Sequence, residues 1–365
     1  MAACLVGCSV GLVIFGLQPL IFGSLVAEGR LPEAAVGLSV SVECSAMAAG
    51  SVLALRRLKV MRASLVMAVG AALLAGFSLA SIPAAGLLPI VLLRALSGLS
   101  EGILIAPGIA LVAHSRKPEK LSAVFLAIQT VMQASLSYSL PSQTLIQSSA
   151  NAGFLVLAAL AIMAVLLSLI SPTHLGGDAP EKSGPLPPAA AMAILGAAAL
   201  YLGALVTEWG FFGVILTARG FDERVQGAMF ALSLAVQLPS VFGGAHFAER
   251  SQPRPPIIAC AIMLAGLILA FLSFGHSAPV VWACVVGYGL LWTVVQPFFT
   301  RALLQVDPSK RSALLLAPWQ LTGAAFLPLL GSLGVLMMGP NGALVISALF
   351  AALAASLLSL SFLLR

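Results

Sequence analysis

Four ionisable side chains lie deep inside apolar stretches of this sequence: Glu43, Arg94, Glu101 and Glu208. A charged side chain at the centre of a bilayer costs about 2.5–3.5 kcal/mol on insertion scales, so such residues normally face a cavity or a partner. A carboxyl group in that setting can take up and release a proton, and a guanidinium group can hold an anion. We expect these four side chains to serve substrate binding or proton coupling.

Each of the four also has a structural alternative. Arg94 and Glu101 are seven residues apart, which in a helix puts them on one face about 10 Å apart along the axis. Arg94 is expected to bind a substrate anion or position a gate; alternatively it caps backbone carbonyls or pairs with Glu101. Glu101 is predicted to couple protons or bind substrate. Glu43 is expected to do the same or to hydrogen-bond between helices, and Glu208 to line an outer cavity mouth or snorkel to the interface.

Amide and aromatic side chains could line a solute path between these groups. Trp292 and Gln296 are one helical turn apart and would share a face. Further candidates, each of which could instead serve helix packing, are Gln18, Gln129, Gln133, Trp319 and Gln320.

The elements that must hold these residues are membrane helices. Of the 365 residues, 60% are hydrophobic and only 8% are charged, against about 25% charged in soluble domains. Apolar runs of about 20 residues cross a bilayer as helices, whereas barrel strands need only about 10 alternating residues. The runs predict twelve spans: 4–27, 35–55, 63–82, 87–113, 121–146, 152–171, 189–218, 226–247, 257–275, 279–304, 312–338 and 341–364.

One connection is long, polar and rich in glycine and proline. Residues 172–187 predict a linker between two six-helix domains, 1–171 and 188–365. Of the 17 Lys and Arg residues in the connections and the tail, 14 lie on the linker's side. Because Lys and Arg favour cytoplasmic loops, both termini and the linker are expected in the cytoplasm of a bacterial inner membrane.

The two predicted domains repeat each other. At an offset of 190 residues, Pro107 aligns with Pro297 and Lys120 with Lys310, without a gap from the fourth helix into the fifth. The two members have the same orientation, so the repeat is parallel. Paired repeats around a midplane site are typical of secondary transporters that alternate access.

The chain resembles the major facilitator superfamily over essentially its whole length. Its fourth helix reads Arg94-Ala-Leu-Ser-Gly98-Leu-Ser-Glu101-Gly102, similar to the family's signature there. In the loop after the second helix the basic cluster is kept, but Ala54 replaces the family's acid. The resemblance implies a fold of two parallel six-helix bundles in a poorly characterised bacterial branch, with gate-loop charges at Arg56, Arg57, Lys59, Glu249, Arg250 and Arg254.

The sequence thus predicts a proton-coupled secondary transporter of a small organic solute, for which an anion held by Arg94 is one candidate. The alternatives are proton-driven efflux of drugs or lipophilic cations and a membrane sensor or scaffold without transport. No nucleotide-binding, metal or hydrolase motif occurs, so we expect no enzyme and no cofactor. The five cysteines show no CxxC spacing, so neither a disulfide framework nor a metal site is indicated. The expected partners are the solute, protons and lipid, with no nucleic acid, and the chain is expected to be a monomer.

Overall fold

The protein folds as a series of long helices. The structure, a computed structural model, describes residues 1–58, 60–115, 118–142, 149–171, 187–307 and 311–363. This part of the chain contains no strand and has twelve helices long and apolar enough to cross a membrane. They are α1 (Ala2–Ala27), α2 (Glu33–Arg57), α3 (Ala63–Ser81), α4 (Leu87–Ala113), α5 (Lys120–Ser139), α6 (Ala150–Ser168), α7 (Ala189–Ala218), α8 (Glu223–Arg250), α9 (Arg254–Phe274), α10 (Ala278–Val306), α11 (Arg311–Met338) and α12 (Asn341–Ser359).

The last helix continues to Leu363, and the helix bounds agree with the predicted spans to within about three residues except at the end of the fifth. The prediction carried that helix to residue 146, but α5 ends at Ser139 and a 3-10 turn, Leu140–Ser142, follows. Pro141 lies in this turn and lacks the backbone N–H that an α-helix would need there. Residues 143–148 lie outside the described part of the chain.

The outward faces of the helices are apolar. Large hydrophobic side chains such as Ile262, Leu336 and Met337 are 59%, 70% and 82% exposed. Large hydrophobic side chains exposed in this number are unusual for a protein in water and suit contact with lipid. The four ionisable candidates, Glu43, Arg94, Glu101 and Glu208, are instead buried inside the helix bundles.

Three helices in the second half are interrupted, each just before a proline. The breaks fall at Val236 in α8, Val295 in α10 and Leu315 in α11. The prolines follow at 239, 297 and 318, and each removes one helical hydrogen bond and crowds the preceding turn. The predicted match of Pro107 with Pro297 therefore joins a continuous α4 to an interrupted α10.

The chain divides into two compact units. The first takes in most of α1–α6 together with Asp222–Ala231, and the second takes in Val36–Ser41 and most of α7–α12. The predicted linker, 172–187, falls almost wholly outside the described residues, which resume at 187. The predicted boundaries of the two domains therefore stay a prediction.

The internal repeat is visible in which helices pack together. Within the first unit α1 packs on α5 and α3 on α6, and within the second α7 packs on α11 and α9 on α12. Small residues mediate a third duplicated pair. A Cβ atom added at Gly98 would collide with the backbone carbonyl of Glu43, and one at Gly289 would collide with that of Ser233. The pairs α2–α4 and α8–α10 thus both approach at backbone distance.

An arginine latch also occurs twice. Arg30, after α1, donates to the carbonyl oxygens of Ser81 and Ile82 at the end of α3 and to Asn151 Oδ1 in α6, at 2.8, 2.7 and 2.8 Å. Its second-half counterpart, Arg219, donates to the Phe271 carbonyl oxygen in α9 at 3.0 Å and to Asn341 Oδ1 in α12 at 3.1 Å.

The two latches cap equivalent helix ends. Cations suit the carbonyl ends of helices, so each arginine stabilises the end of the third helix of its half and ties it to the sixth. Partial burial lowers the pKa of the Arg219 guanidinium group, because desolvation disfavours its charged form.

Candidate functional site

The first unit contains a buried ion pair between α2 and α4. Arg94 Nη1 donates to Glu43 Oε1 at 2.8 Å, and the side chains of the two residues are 1% and 0% exposed. Gln18 Nε2, from α1, donates to the second oxygen of Glu43 at 3.2 Å. Arg94 Nη2 donates to Ser97 Oγ at 2.9 Å, and its guanidinium carbon lies 5.2 Å from the centre of the Phe154 ring.

Local sequence explains why this pair can form. Gly98 is one turn beyond Arg94, and its missing side chain lets the α4 backbone contact that of α2 at Glu43. At this separation the long arginine side chain reaches across to the carboxylate of the next helix. Because both charges are paired and hydrogen-bonded, their burial is tolerable.

The alternative in which Arg94 pairs with Glu101 is wrong. Seven residues along one helix keep the two groups apart, while Glu43 lies directly opposite Arg94 on the neighbouring helix. Glu101 is 0% exposed, and neither of its carboxyl oxygens has a hydrogen-bond partner among the described residues. Of these two buried carboxyl groups, that of Glu43 is balanced by a base, and that of Glu101 has no hydrogen bond within the described chain.

Glu208 in α7 is likewise buried. It is 2% exposed, and its Oε2 atom has no hydrogen-bond partner within the described chain. The alternative in which Glu208 snorkels to the interface is wrong, because a snorkelling side chain keeps its head group accessible. The next residue, Trp209, stacks on Tyr288 with ring centres 5.4 Å apart and an interplanar angle of 7°.

The amide candidates divide between the two units. In the second, Gln320 Nε2 donates to Gln296 Oε1 at 2.8 Å, and Gln296 Nε2 donates to the Trp292 carbonyl oxygen at 3.3 Å. In the first, Gln133 is buried and donates to the Leu12 carbonyl oxygen at 2.6 Å, where a 3-10 turn interrupts α1. That bond gives Gln133 a packing role.

Two further candidates, Gln129 and Trp319, are half-buried in α5 and α11.

The predicted gate charges lie at helix ends. Arg56 and Arg57 end α2 and are exposed, as are Glu249 and Arg250 at the end of α8. Arg250 contacts the ring of His246, one turn earlier. Arg254, which begins α9, is buried, and Lys59 lies outside the described residues. Their part in gating stays a prediction.

Sequence reasoning missed several partners of these groups. Ser97 and Phe154 contact Arg94, but nothing in their local sequence distinguishes them from ordinary packing residues. The arginine latches could have been found, since the offset of 190 residues carries Asn151 onto Asn341. Arg30 and Arg219 are 189 residues apart, one fewer than that offset, so the alignment did not match them.

Twelve membrane helices in a duplicated pattern, with paired and unpaired ionisable groups inside, define a polytopic membrane protein of the transporter class. A family model described as Major Facilitator Superfamily matches residues 1–317. The chain belongs to the major facilitator superfamily. It is an integral membrane transporter of small solutes and not an enzyme.

Solved structures of other transporters share this fold at low sequence identity. A bacterial homolog of the human lysosomal transporter Spinster, in an inward-facing and unoccupied conformation, is 13% identical with a TM-score of 0.77, covering 99% of this chain and 95% of that one. The nucleoside transporter NupG is 13% identical with a TM-score of 0.74, over 99% and 97%. The human organic anion transporter MFSD10 (TETRAN) is 16% identical with a TM-score of 0.61, over 98% of each chain. No curated protein sequence matches the chain.

Proposed function

We propose that this protein is a proton-coupled secondary transporter of a small organic solute and that Glu101 carries the coupling proton. We place it, as part of the same proposal, in a bacterial inner membrane as a monomer. Both termini lie in the cytoplasm, an orientation that the distribution of Lys and Arg favours. Energy comes from the proton gradient, and access alternates between the two sides of the membrane.

The observation that carries this proposal is the environment of the Glu101 carboxyl group. It is fully buried, and neither oxygen has a hydrogen-bond partner among the described residues. An ionised carboxylate in such a place costs several kcal/mol, so the neutral acid fits this conformation. A conformation that lets water reach Glu101 removes that cost, and the proton can then leave.

The neighbouring carboxyl group of Glu43 suits this role less well. Its charge is balanced by Arg94 at 2.8 Å and its second oxygen accepts a hydrogen bond from Gln18. The same pairing bears on the solute, because a guanidinium group that already holds a carboxylate has less attraction left for a substrate anion. Arg94 as an anion-binding group stays a prediction.

The test compares Glu101→Gln with wild type in proteoliposomes carrying a trapped pH dye. A metabolite panel first identifies a solute that moves protons with it through the wild-type protein. Gln imitates the neutral acid, so Glu101→Gln should lose gradient-driven accumulation of that solute and its proton flux. It should keep solute counterflow, which needs no net proton movement. Glu33→Gln, at the partly exposed acid that begins α2, should behave like wild type.

Two results would overturn the proposal. One is proton-driven accumulation by Glu101→Gln at the wild-type rate. The other is a wild-type protein that transports solutes with no proton movement under either gradient direction.

A further inference from the structure

We infer that a cleft between α9 and α12 in the second unit binds one anionic phospholipid. An acyl chain fills the cleft, and the phosphate group lies at the arginines where α8 ends and α9 begins. The two helices pack against each other, and the cleft between them has a volume of about 610 Å³. It is lined on α9 by Ile258, Ile262 and Ala265, and on α12 by alanine and serine side chains between Ala352 and Ser359. The inference goes beyond the proposed transport and uses none of its buried ionisable groups.

The cleft is short because its α12 wall is made of small side chains over only two turns. Alanine and serine, spaced three or four residues apart, line it from Ala352 to Ser359. One turn before this stretch Leu349 is 54% exposed, and one turn after Ala265 on α9 Leu269 is 57% exposed. Neither of these large side chains lines the cleft. The lining therefore covers about 10 Å along each helix axis.

The chemistry of the cleft favours an apolar occupant. The hydroxyl groups of Ser356 and Ser359 donate to the carbonyl oxygens of Ala352 and Ala355, each at 2.9 Å. Both hydroxyl protons are thus used within α12. Ile262, which is 59% exposed, lies on the open side of the cleft. An unfilled apolar cleft loses dispersion contacts, and a flexible acyl chain restores them.

The position of the cleft along the helices favours a lipid over a second protein helix. Residues 258–265 lie mainly in the first half of α9, and 352–359 lie in the second half of α12. Because the ninth and twelfth spans run in opposite directions, these halves belong to one leaflet, whose hydrocarbon region is about 15 Å thick. A helix of a second copy would pack along both leaflets, whereas an acyl chain occupies only one.

Arginines lie at the polar end of the cleft. Arg254 begins α9 one turn before Ile258, although its own side chain is only 8% exposed. Arg250, four residues earlier at the end of α8, is exposed, and Arg301 donates to a carbonyl oxygen in the last turn of α8. The exposed carboxylate of Glu249 offsets one of these three charges. The remaining positive charge attracts an anionic head group, for which the accessible guanidinium group of Arg250 is the contact.

The experiment titrates the purified, delipidated protein in detergent and counts bound lipids by native mass spectrometry. The probe is palmitoyl-oleoyl phosphatidylglycerol, and phosphatidylcholine with the same acyl chains is the uncharged comparison. Wild type should bind one phosphatidylglycerol molecule in a saturable manner. Its affinity should exceed that for phosphatidylcholine by about fivefold, the effect of one arginine near an anionic lipid.

Three variants separate the acyl chain from the head group. Ala352→Leu fills the cleft at an exposed position and should weaken binding of both lipids by about tenfold. Arg250→Gln should keep binding of phosphatidylcholine and lose the preference for phosphatidylglycerol. Ala259→Leu makes the same change as Ala352→Leu at an exposed residue of α9 that does not line the cleft, and it should bind like wild type.

Three results would overturn the inference. One is a wild-type protein with no saturable lipid site or with equal affinity for the two lipids. Another is unchanged lipid binding by Ala352→Leu. The third is a dimer of the lipid-free protein that Ala352→Leu abolishes, because a second copy of the chain would then be the occupant of the cleft.

Discussion

Replacement of Arg94 by methionine should be among the most destabilising single changes in the first unit. The change removes the positive member of an ion pair whose side chains are 1% and 0% exposed. Glu43 would then keep only the hydrogen bond from Gln18. Breaking a buried pair by removing one partner typically costs about 3–5 kcal/mol, because the other charge is left uncompensated.

The double variant with Glu43→Leu should recover most of that loss. Replacing both charges with apolar side chains of similar volume is often neutral or stabilising in protein interiors. Recovery should fall short by about 1 kcal/mol, since the amide of Gln18 loses its acceptor. The coupling energy of the double-mutant cycle should therefore be large, with the single Arg94 variant worse than the double.

The assay is denaturant unfolding of the purified protein in mixed micelles, followed by far-ultraviolet circular dichroism, which reports the helices of both units. Lys120→Met, at an exposed position, removes a charge of the same sign and serves as the control. A loss of stability for Arg94→Met no larger than that for Lys120→Met, or a double variant less stable than both single variants, would contradict a buried, coupled ion pair.

Two further predictions follow from the duplicated packing. Arg30→Lys should lower the free energy of unfolding by about 2 kcal/mol and Arg219→Lys by about 1 kcal/mol in the same assay. Lysine cannot replace the several hydrogen bonds that each guanidinium group donates, and Arg30 makes more of them than Arg219. A larger loss for Arg219→Lys than for Arg30→Lys would contradict this. Gly98→Ala should cost about 1–3 kcal/mol by overpacking α2 against α4, whereas Gly76→Ala, with no atom near the added methyl group, should be neutral or stabilising; similar effects at both glycines would count against close helix contact.

Much of the fold could be predicted because each membrane helix is visible in the sequence as one continuous apolar run. The span of about 20 apolar residues is set by bilayer thickness, so α4 and α7 were predicted with the bounds that the structure has, 87–113 and 189–218. The repeat was equally accessible, since prolines and loop residues recur at a constant offset. The interruption of α10 before Pro297 was not predicted, as α4 carries Pro107 without a break.

The candidate site was predictable as a set of residues but not as a set of contacts. The cost of burying charge is enough to single out Glu43, Arg94, Glu101 and Glu208 from their sequence neighbours. The partner of Arg94 was not predictable. The spacing along α4 suggested Glu101, whereas the structure pairs Arg94 with Glu43. The stacking of Trp209 on Tyr288 was also not predicted, since the two residues come from different helices.

The sequence by itself determined that the helices lie in lipid, how many there are, that they are duplicated, and which buried ionisable residues are expected to have a function. All four depend on hydropathy or identity read along one chain, where the bilayer imposes a single length scale. Only the tertiary structure decided which charges are paired, because Glu43 and Arg94 are 51 residues apart and meet through the lateral packing of two helices. That packing depends on shape at Gly98 and its neighbours, which a pattern of apolar and polar residues does not encode.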